Sequence, residues 1–474
     1  MNFVAFARRG LRPGLHRLAA ALLFSAGAAG ASTMAQPFEE RVDNLVRMGE
    51  DTPDAALTAL AALGQDNNAI HRRAVLLAEG IVAARNGRDV EAGRRIDALL
   101  TLWQPVDALA QADSHLVRAV LEDTAGHTES AYTEARAALQ GFDRWCQPGQ
   151  AQRDDCDYRA WWRALGLAES GAVGQGNSVV AASHAQAMLD VARRFEDRPR
   201  EAISLAYNAT LAEINGDPSA ANRLIAQAQR LGRADGTPWL MVRLGELDGM
   251  LHHYRQQPEL MQRDYEDALV VATDAGLNRD AMRLRANLSD AYIRQGRSAD
   301  ALKMIALALP VARQHRDLRL ERLLLHNATL AQLALGHVSE AKAGLNHVLE
   351  LWQRDTGPGQ RDEALREFGE ALAKAGDVAG ALQLFHQEDA LAKEIRETNT
   401  SAAEAEMRAK YDQVTQKRRI ELMARDNELT RTLLRAAGVP VPDGRPVTDA
   451  ADAWAAAEEA GLPALVKPDR KSVV

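Results

Sequence analysis

Aromatic residues are scarce in this sequence. Phe, Trp and Tyr together make up 5% of its 474 residues, although 46% of the residues are hydrophobic. Alanine and leucine carry most of the hydrophobic share, and both lose little side-chain freedom in a helix. The β-branched and aromatic residues that favour sheets are few over most of the chain. The composition therefore predicts an all-α protein, and the length favours several domains or an elongated repeat protein over one compact core.

A concentrated basic surface is also missing. The formal net charge is -8, and no stripe of lysine and arginine runs along the predicted helices. Proteins that bind nucleic acid need clustered cations to neutralise the phosphates. We therefore expect no nucleic-acid partner.

Residues 38–395 lack the sequence motifs of catalytic sites. The HExxH, GxSxG, Walker A and EF-hand patterns do not occur there. The histidines are scattered, and the adjacent His252 and His253 point to different faces of a helix. We expect structural histidines, no catalytic residue and no metal site in this part of the chain.

Long apolar runs are missing beyond the N-terminus. Residues 18–31 are apolar, and small residues then offer cleavage after Ala31 or Ala35. The run is preceded by four arginines, Arg8, Arg9, Arg12 and Arg17. This layout predicts a secretory signal peptide over residues 1–35 and an exported, periplasmic or envelope-associated protein. The alternatives are an uncleaved anchor and a twin-arginine signal at Arg8 and Arg9.

Cysteine is limited to two residues, Cys146 and Cys156, which lie in one polar stretch. In an oxidising compartment they are expected to close a short disulfide loop. Such a loop would add about 2–3 kcal/mol by chain-entropy reasoning. Two unrelated thiols, or a metal site, are the alternatives, and no histidine lies at ligand spacing beside them.

What the sequence does have is a repeat. A glycine recurs in a frame of forty residues, followed five residues later by a small residue and four further on by a larger one. The frame positions are Gly176, Gly216, Gln256, Gly296, Gly336 and Gly376, with earlier copies at Gly87 and Gly126. The step from Gly126 to Gly176 is ten residues longer than the usual step of forty and contains both cysteines. With a first pair over 38–63, this pattern predicts about nine helix pairs.

Each repeat position has a physical reason. The glycine permits the left-handed turn that ends the first helix of a pair. The small residue lets the second helix approach closely, and the larger residue on the same face fills the space between the two helices. One pair cannot bury its apolar face alone, so the pairs are expected to stack into a superhelix.

The repeat over residues 36–395 resembles the tetratricopeptide (TPR) consensus. Its period is longer than the usual 34 residues and approaches that of HEAT repeats, but the five-residue spacing from glycine to alanine favours TPR. A generic alanine-rich bundle is the alternative. The resemblance implies a groove, lined by the first helix of each pair, that holds a peptide or partner protein. Asn208, Asn287 and Asn327 are the candidate groove residues, unless they lie on a solvated helix face.

Residues 396–425 predict a connector helix. Met407, Tyr411 and Val414 have the spacing of a short coiled-coil seam, through which the chain would dimerise. This stretch resembles the connector of bacterial envelope sensors, in which an exported TPR region precedes a membrane span and an output domain such as a diguanylate cyclase or histidine kinase. The resemblance implies a sensory input region whose membrane span and output are missing after residue 425. A stand-alone periplasmic TPR assembly factor is the alternative.

Residues 426–468 resemble the entry to an ATP-grasp domain, most closely that of cyanophycin synthetase. Residues 429–444 read LTRTLLRAAGVPVPDG, and residues 465–468 read LVKP. The resemblance implies a small incomplete α/β fragment in which Lys467 contacts an ATP phosphate. ATP and Mg²⁺ would then be cofactors of an amino-acid ligase, although the fragment lacks the metal ligands and the second lobe. We expect residues 469–474 to be an artefactual tail, because they match a translated sequencing adapter.

Overall fold

The computed structural model describes residues 37–65, 68–146, 155–353 and 357–398. Within these ranges every regular element is a helix. The predicted signal peptide, the connector beyond residue 398 and the C-terminal fragment with Lys467 lie outside them. The helices are α1 (Phe38–Met48), α2 (Pro53–Leu63), α3 (Ala69–Arg85), α4 (Asp89–Thr101), α5 (Ala108–Ala125), α6 (Thr128–Cys146), α7 (Tyr158–Gly174), α8 (Ser178–Arg194), α9 (Arg198–Ile214), α10 (Pro218–Asp235), α11 (Pro238–Tyr254), α12 (Pro258–Asp274), α13 (Asn278–Arg294), α14 (Ser298–Gln314), α15 (Leu318–Ala334), α16 (Val338–Gln353), α17 (Pro358–Lys374) and α18 (378–398).

The helices form nine antiparallel pairs, α1–α2 to α17–α18, so the predicted TPR-like α-solenoid is confirmed. The turn inside each pair after the first contains a residue in the left-handed conformation. Seven of these residues are the predicted frame glycines, Gly87, Gly126, Gly176, Gly216, Gly296, Gly336 and Gly376. Gln256 takes the same conformation, with a φ of 55°, where the frame lacks its glycine.

The turns between pairs follow a frame of their own that the sequence analysis did not identify. Glu196, Gly236, Gly276 and Arg316 all have positive φ and lie midway between the predicted frame positions. In this part of the chain most helices have 17 residues and are joined by three-residue turns. The forty-residue period therefore consists of two nearly equal halves.

The residues that follow the turn glycines pack as the repeat predicts. Ala221, Ala301 and Ala341 are fully buried where the two helices of a pair meet. Ile225 and Ile305 lie one turn further along the second helix and are buried against the same partner. Small and large residues thus alternate along each second helix and fill the space inside the solenoid.

The first helices of successive pairs form a continuous inner layer. The backbones of successive first helices pack together at every step except α7 to α9, where the Trp162 indole donates a hydrogen bond to the Ser204 hydroxyl at 2.9 Å. The second helices pack mainly against the helices adjacent to them in the chain. The layer also closes on itself, because α15 contacts α5 and α17 contacts α7, five pairs earlier. Five pairs therefore make one superhelical turn, and consecutive turns touch.

The seam between turns is made by helix ends. The C-terminal ends of early first helices meet the N-terminal ends of first helices five pairs later. The backbone amide of Arg279 donates to the Asp51 carboxylate at 2.9 Å, and its guanidinium donates to the Arg85 carbonyl oxygen at 2.5 Å. The guanidinium of Arg322 donates to the Gly126 carbonyl oxygen at 2.9 Å. These contacts enclose the inner layer instead of leaving a laterally open groove.

None of the described helices is both long enough and apolar enough to cross a bilayer.

Candidate functional site

A set of charged and aromatic side chains lies on the helices of the inner layer. We call this set the interior face. Its residues are Glu169 on α7, Tyr207 on α9, Arg243, Glu246 and Tyr254 on α11, Arg283 on α13, Arg319 on α15 and Glu363 on α17.

A cluster around Glu246 joins three neighbouring first helices. The Arg283 guanidinium makes two hydrogen bonds to the Glu246 carboxylate, at 3.0 and 3.1 Å. Arg243 donates to the same carboxylate at 2.5 Å and also to the hydroxyl of Tyr207. Arg243 and Arg283 are forty residues apart, so the repeat frame places both of them on the interior face beside Glu246.

The Glu246 carboxylate stays ionised although its residue is only 5% exposed. Burial alone would raise the pKa of Glu246, but Arg283 and Arg243 outweigh it and lower the pKa to about 2. A buried charge is tolerated only when it is paired and hydrogen-bonded. The cluster is therefore a fixed structural element that holds two arginines on one carboxylate.

Glu169 lies on α7 in a different electrostatic setting. The residue is 4% exposed, and within the described residues no hydrogen bond or ion pair reaches its carboxylate. Burial raises the pKa of Glu169 to about 8 against the opposing charge of Arg243, which already binds Glu246. At neutral pH the carboxyl group is mostly protonated.

Tyr254 ends α11 and keeps 41% of its surface exposed. Burial raises the pKa of its phenol to about 12, and the carboxylates of Glu363 and Glu169 add to the rise. Tyr254 thus places an accessible aromatic ring close to two carboxyl groups from α17 and α7.

A second set of polar contacts links the first helices α11, α13, α15 and α17. His253 contacts Asp290 at 3.1 Å, and Arg294 contacts both Asp290 and Glu367 at 2.9 Å. His326 contacts Glu367 at 2.9 Å. Burial would raise the pKa values of Asp290 and Glu367, but the hydrogen bonds from His253 and His326 lower them. These histidines connect helices, and none of the described residues forms a cluster that could hold a metal ion.

A cavity of about 660 Å³ lies where α1, α3 and the start of α7 meet. Its floor is apolar, with Val42, Leu77 and Ile81 among its residues. On its wall, Arg73 contacts the carboxylates of Asp113 at 3.2 Å and Asp155 at 2.7 Å. Asp113 is fully enclosed, and burial raises its pKa to about 7 even though Arg73 opposes the rise.

Cys146 and Cys156 form a disulfide with a Cα–Cα distance of 5.6 Å. The bond joins the end of α6 to the segment that enters α7. Asp155 comes directly before Cys156, so the disulfide fixes the residue that contacts Arg73. The sequence predicted a disulfide that closes a loop in the insertion between two repeats. The structure adds that this disulfide is next to the cavity wall.

The three candidate groove asparagines are engaged within the protein. The Asn208 amide donates to the carbonyl oxygens of Ala185 and Ser204, both at 2.8 Å. Asn287 lies beside the Glu246 cluster, with its amide 3.5 Å from the carboxylate.

Asn327 is 3% exposed and lies between helices. Its amide donates to the Ala286 carbonyl oxygen at 3.2 Å and to the Ser289 hydroxyl at 2.8 Å. Among the three asparagines, Asn287 is therefore the one beside the polar part of the interior face, whereas Asn327 links α15 to α13. Sequence reasoning missed the charged residues at the neighbouring frame positions, although their forty-residue spacing was the available signal.

The fold is similar to solved structures of Rap proteins. A Rap protein complexed with Competence and Sporulation Factor matches with a TM-score of 0.56 and 13% identity, over 76% of this chain and 98% of that chain. The Rap conjugation gene regulator of plasmid pLS20, in complex with the Phr* peptide, matches with a TM-score of 0.51 and 11% identity, over 76% of this chain and 95% of that chain. The sequence matches no family model and no curated protein.

Proposed function

We propose that the chain is a peptide-binding scaffold and that the peptide lies against the interior face. The observation that carries the proposal is the set of arginines held there. Arg243 and Arg283 are fixed by Glu246, and Arg319 is paired with Asp123 at 3.3 Å while 49% of its side chain stays exposed. A preorganised polar lining of this kind suits the backbone and side chains of a bound peptide, because the protein side chains need little further ordering when the peptide binds.

The fold neighbours support the same proposal. One of the two Rap proteins described above is in complex with a peptide, and the other with Competence and Sporulation Factor. Both have the same all-helical architecture over three quarters of this chain. Fold alone does not assign a ligand, so the residues of the interior face carry the argument.

The proposed setting is the cell envelope, with the chain acting as the sensory input region of a signalling protein. The disulfide supports export, because such bonds persist in oxidising compartments. The apolar run at 18–31 and the connector resemblance at 396–425 support a membrane-linked sensor. Dimerisation through the connector and an output domain beyond residue 425 belong to this proposal.

Photo-crosslinking tests where a peptide binds. The full chain is made with p-benzoylphenylalanine in place of Arg319 on the interior face, and separately in place of Leu307, which is exposed on the second helix α14. Each is irradiated with a biotinylated random octapeptide mixture. The proposal expects crosslinked peptide at position 319 and little at position 307. Equal crosslinking at the two positions, or none at 319, would overturn it.

A further inference from the structure

The cavity where α1, α3 and the start of α7 meet lies within the inner layer. Most of its lining comes from the first helices of the first four pairs, α1, α3, α5 and α7. The Asp43 carboxylate on α1 binds Arg163 on α7 and, at 2.7 Å, Arg200 on α9. These bonds fix α1 across the cavity, whose volume of about 660 Å³ lies in the range of small-molecule sites.

One side of the cavity is apolar. It contains Val42 on α1 and Leu77 and Ile81 on α3, all of them buried. The rings of Phe38 and His71, stacked with their centroids 3.8 Å apart, also line the cavity. These surfaces suit an apolar chain or ring, because contact with them removes apolar surface from water.

The other side is polar, and the guanidinium of Arg73 is directed there toward Asp155. One Nη atom donates to the Asp155 carboxylate at 2.7 Å, and the other donates to the Asp155 carbonyl oxygen. Nε of Arg73 lies 3.2 Å from Oδ2 of Asp113, but within the described residues no hydrogen bond reaches that oxygen. A single guanidinium thus faces two carboxyl groups, and Asp155 takes both Nη donors.

Asp113 is therefore a buried carboxyl group that lacks hydrogen-bond donors. It lies on α5, lines the cavity and is 2% exposed. The carboxylate of Asp43 shows the contrast, because it binds Arg47 at 2.5 Å in addition to Arg163 and Arg200. A buried polar group without its hydrogen bonds is costly, so a ligand that brings a donor to Asp113 supplies what the protein does not.

The charges around Asp113 favour a cation. Burial raises the pKa of Asp113 to about 7, Arg73 opposes the rise, and Asp157, Asp107 and Asp155 add to it. Negative groups thus outnumber positive ones here. An ammonium group brings three hydrogen-bond donors and a positive charge, whereas a carboxylate would be repelled.

The polar and apolar sides are arranged along one helix. Arg73, Leu77 and Ile81 follow one another at four-residue spacing on α3, so they form one stripe about 12 Å long. Asp113 lies at the Arg73 end of this stripe. A ligand with a charged end and an apolar end can therefore contact both sides of the cavity at once.

We propose that this cavity binds a small amphipathic amine. The ammonium group binds the Asp113 carboxylate, and the apolar chain or ring lies along Leu77 and Ile81. This is a second site with its own ligand class, beyond the peptide of the interior face.

Binding of the amine is linked to a proton on Asp113. At pH 7 this carboxyl group is about half protonated in the free protein, and a bound ammonium group favours the carboxylate. The affinity should therefore rise by up to about tenfold between pH 6 and pH 8. His71 also lines the cavity and is a residue type that changes charge in this range. The pH dependence is therefore compared with that of Asp113→Asn, which keeps His71.

Isothermal titration calorimetry of the full chain tests the site with hexylamine, 1-hexanol and hexanoate, which share one chain length. We expect hexylamine to bind about tenfold more tightly than 1-hexanol, and hexanoate to bind most weakly. Butylamine, two methylene groups shorter, should bind about tenfold more weakly than hexylamine because it covers less of the apolar side. Hexanoate binding more tightly than hexylamine would place an anion at Arg159, which also lines the cavity, and would overturn the proposal.

Two variants test the two ends of the ligand. Asp113→Asn keeps the size of the side chain and should abolish both the preference for hexylamine over 1-hexanol and the pH dependence. Ala74→Phe, at a half-buried position of the lining, should block every probe. Asp274→Asn at the exposed end of α12 and Ala61→Phe on the exposed side of α2 are the matched controls and should bind as the parent does.

The proposal is overturned if hexylamine and 1-hexanol bind equally, if the preference survives Asp113→Asn, or if no probe binds. Melting curves check that each variant is folded. If Asp113→Asn does not fold, the comparison of the probes on the parent and on Ala74→Phe decides. Peptide crosslinking at position 319 tests the other proposal, and its result changes none of these outcomes.

Discussion

The backbone amide of Gly357 donates a hydrogen bond to the side-chain hydroxyl of Thr128 at 2.9 Å, across 229 residues of sequence. Thr128 begins α6 in the third pair, and Gly357 precedes α17 in the ninth. The bond belongs to the seam that joins one superhelical turn to the next. It shows that the inner layer is closed by specific short-range contacts between distant pairs.

Gly357→Ala tests the seam. A β-carbon at this position would lie 2.3 Å from the Gly174 carbonyl oxygen, so the two turns must separate to admit it. We expect a loss of about 1–3 kcal/mol in the free energy of unfolding, as for other overpacked sites. Urea denaturation followed by circular dichroism measures it.

Gly93→Ala is the control for this substitution. Gly93 lies inside α4, and a β-carbon there meets no neighbour within 4 Å. Alanine is favoured over glycine inside a helix by about 1 kcal/mol, so this variant should be as stable as the parent or more stable. Equal behaviour of the two variants would contradict the tight seam.

Reduction of the disulfide should lower the melting temperature. The protein has no other cysteine, so a reductant acts on the Cys146–Cys156 bond alone. We expect a loss of about 2–3 kcal/mol from the ten-residue loop, with a looser Asp155 beside Arg73. Differential scanning calorimetry with and without dithiothreitol measures the change. The double variant Cys146→Ser, Cys156→Ser should melt at the temperature of the reduced protein, and dithiothreitol should not change its melting temperature.

Glu246→Gln should destabilise the inner layer. The substitution leaves the half-buried guanidinium groups of Arg243 and Arg283 without their shared buried carboxylate, and breaking such a pair costs up to about 3–5 kcal/mol. Glu259→Gln, on the exposed start of α12, should change stability by less than about 0.5 kcal/mol. Chemical denaturation at pH 7 compares them, and similar values for both variants would show that the cluster is not a fixed element.

The Glu246 carboxylate also makes the stability of the folded protein depend on pH in the acid range. Its pKa in the folded protein is lowered to about 2, below the ordinary value of about 4.3. The stability that Glu246 contributes is therefore complete above pH ~4.3 and is lost as the pH falls toward 2. The Glu246→Gln variant should lack this part of the acid transition, and an unchanged acid transition would contradict the assignment.

Glu169 affects the pH dependence of stability in the opposite direction to Glu246. Its pKa is raised to about 8 in the folded protein, so folding favours the protonated form and the group costs stability as the pH rises from about 4.3 to 8. Glu169→Gln mimics the protonated form and should be more stable than the parent by roughly 1–3 kcal/mol at pH 9. The two proteins should have similar stability at pH 4. A lower stability of the variant at pH 9 would show that the carboxylate has a partner.

The turns were predictable from sequence because their chemistry is local. Gly296 and Gly336 adopt left-handed backbone conformations that glycine reaches without strain, and their spacing shows the repeat directly. The buried Ala301 follows from the same local pattern. The disulfide pairing needed only two cysteines at short separation.

The seam and the interior charges were not predictable in this way. The contact of Arg279 with the Arg85 carbonyl oxygen depends on five pairs completing one superhelical turn, and small rotations at each pair set that number. The location of Asn327 was not predictable from the sequence either. Its place in the frame suggested a groove, but the packing of α13 on α15 buries it. The sequence shows that Arg243 and Arg283 are forty residues apart. It does not show that both bind Glu246, which depends on the packing of the helices.

Peptide binding on the inner layer of first helices should be visible by hydrogen–deuterium exchange of the full chain, measured with and without a peptide that crosslinks at position 319. We expect slower exchange in the first helices α9, α11 and α13 and unchanged exchange in the second helices α10, α12 and α14. Protection confined to the second helices, or no protection in α9, α11 and α13, would show that the peptide does not bind on the inner layer.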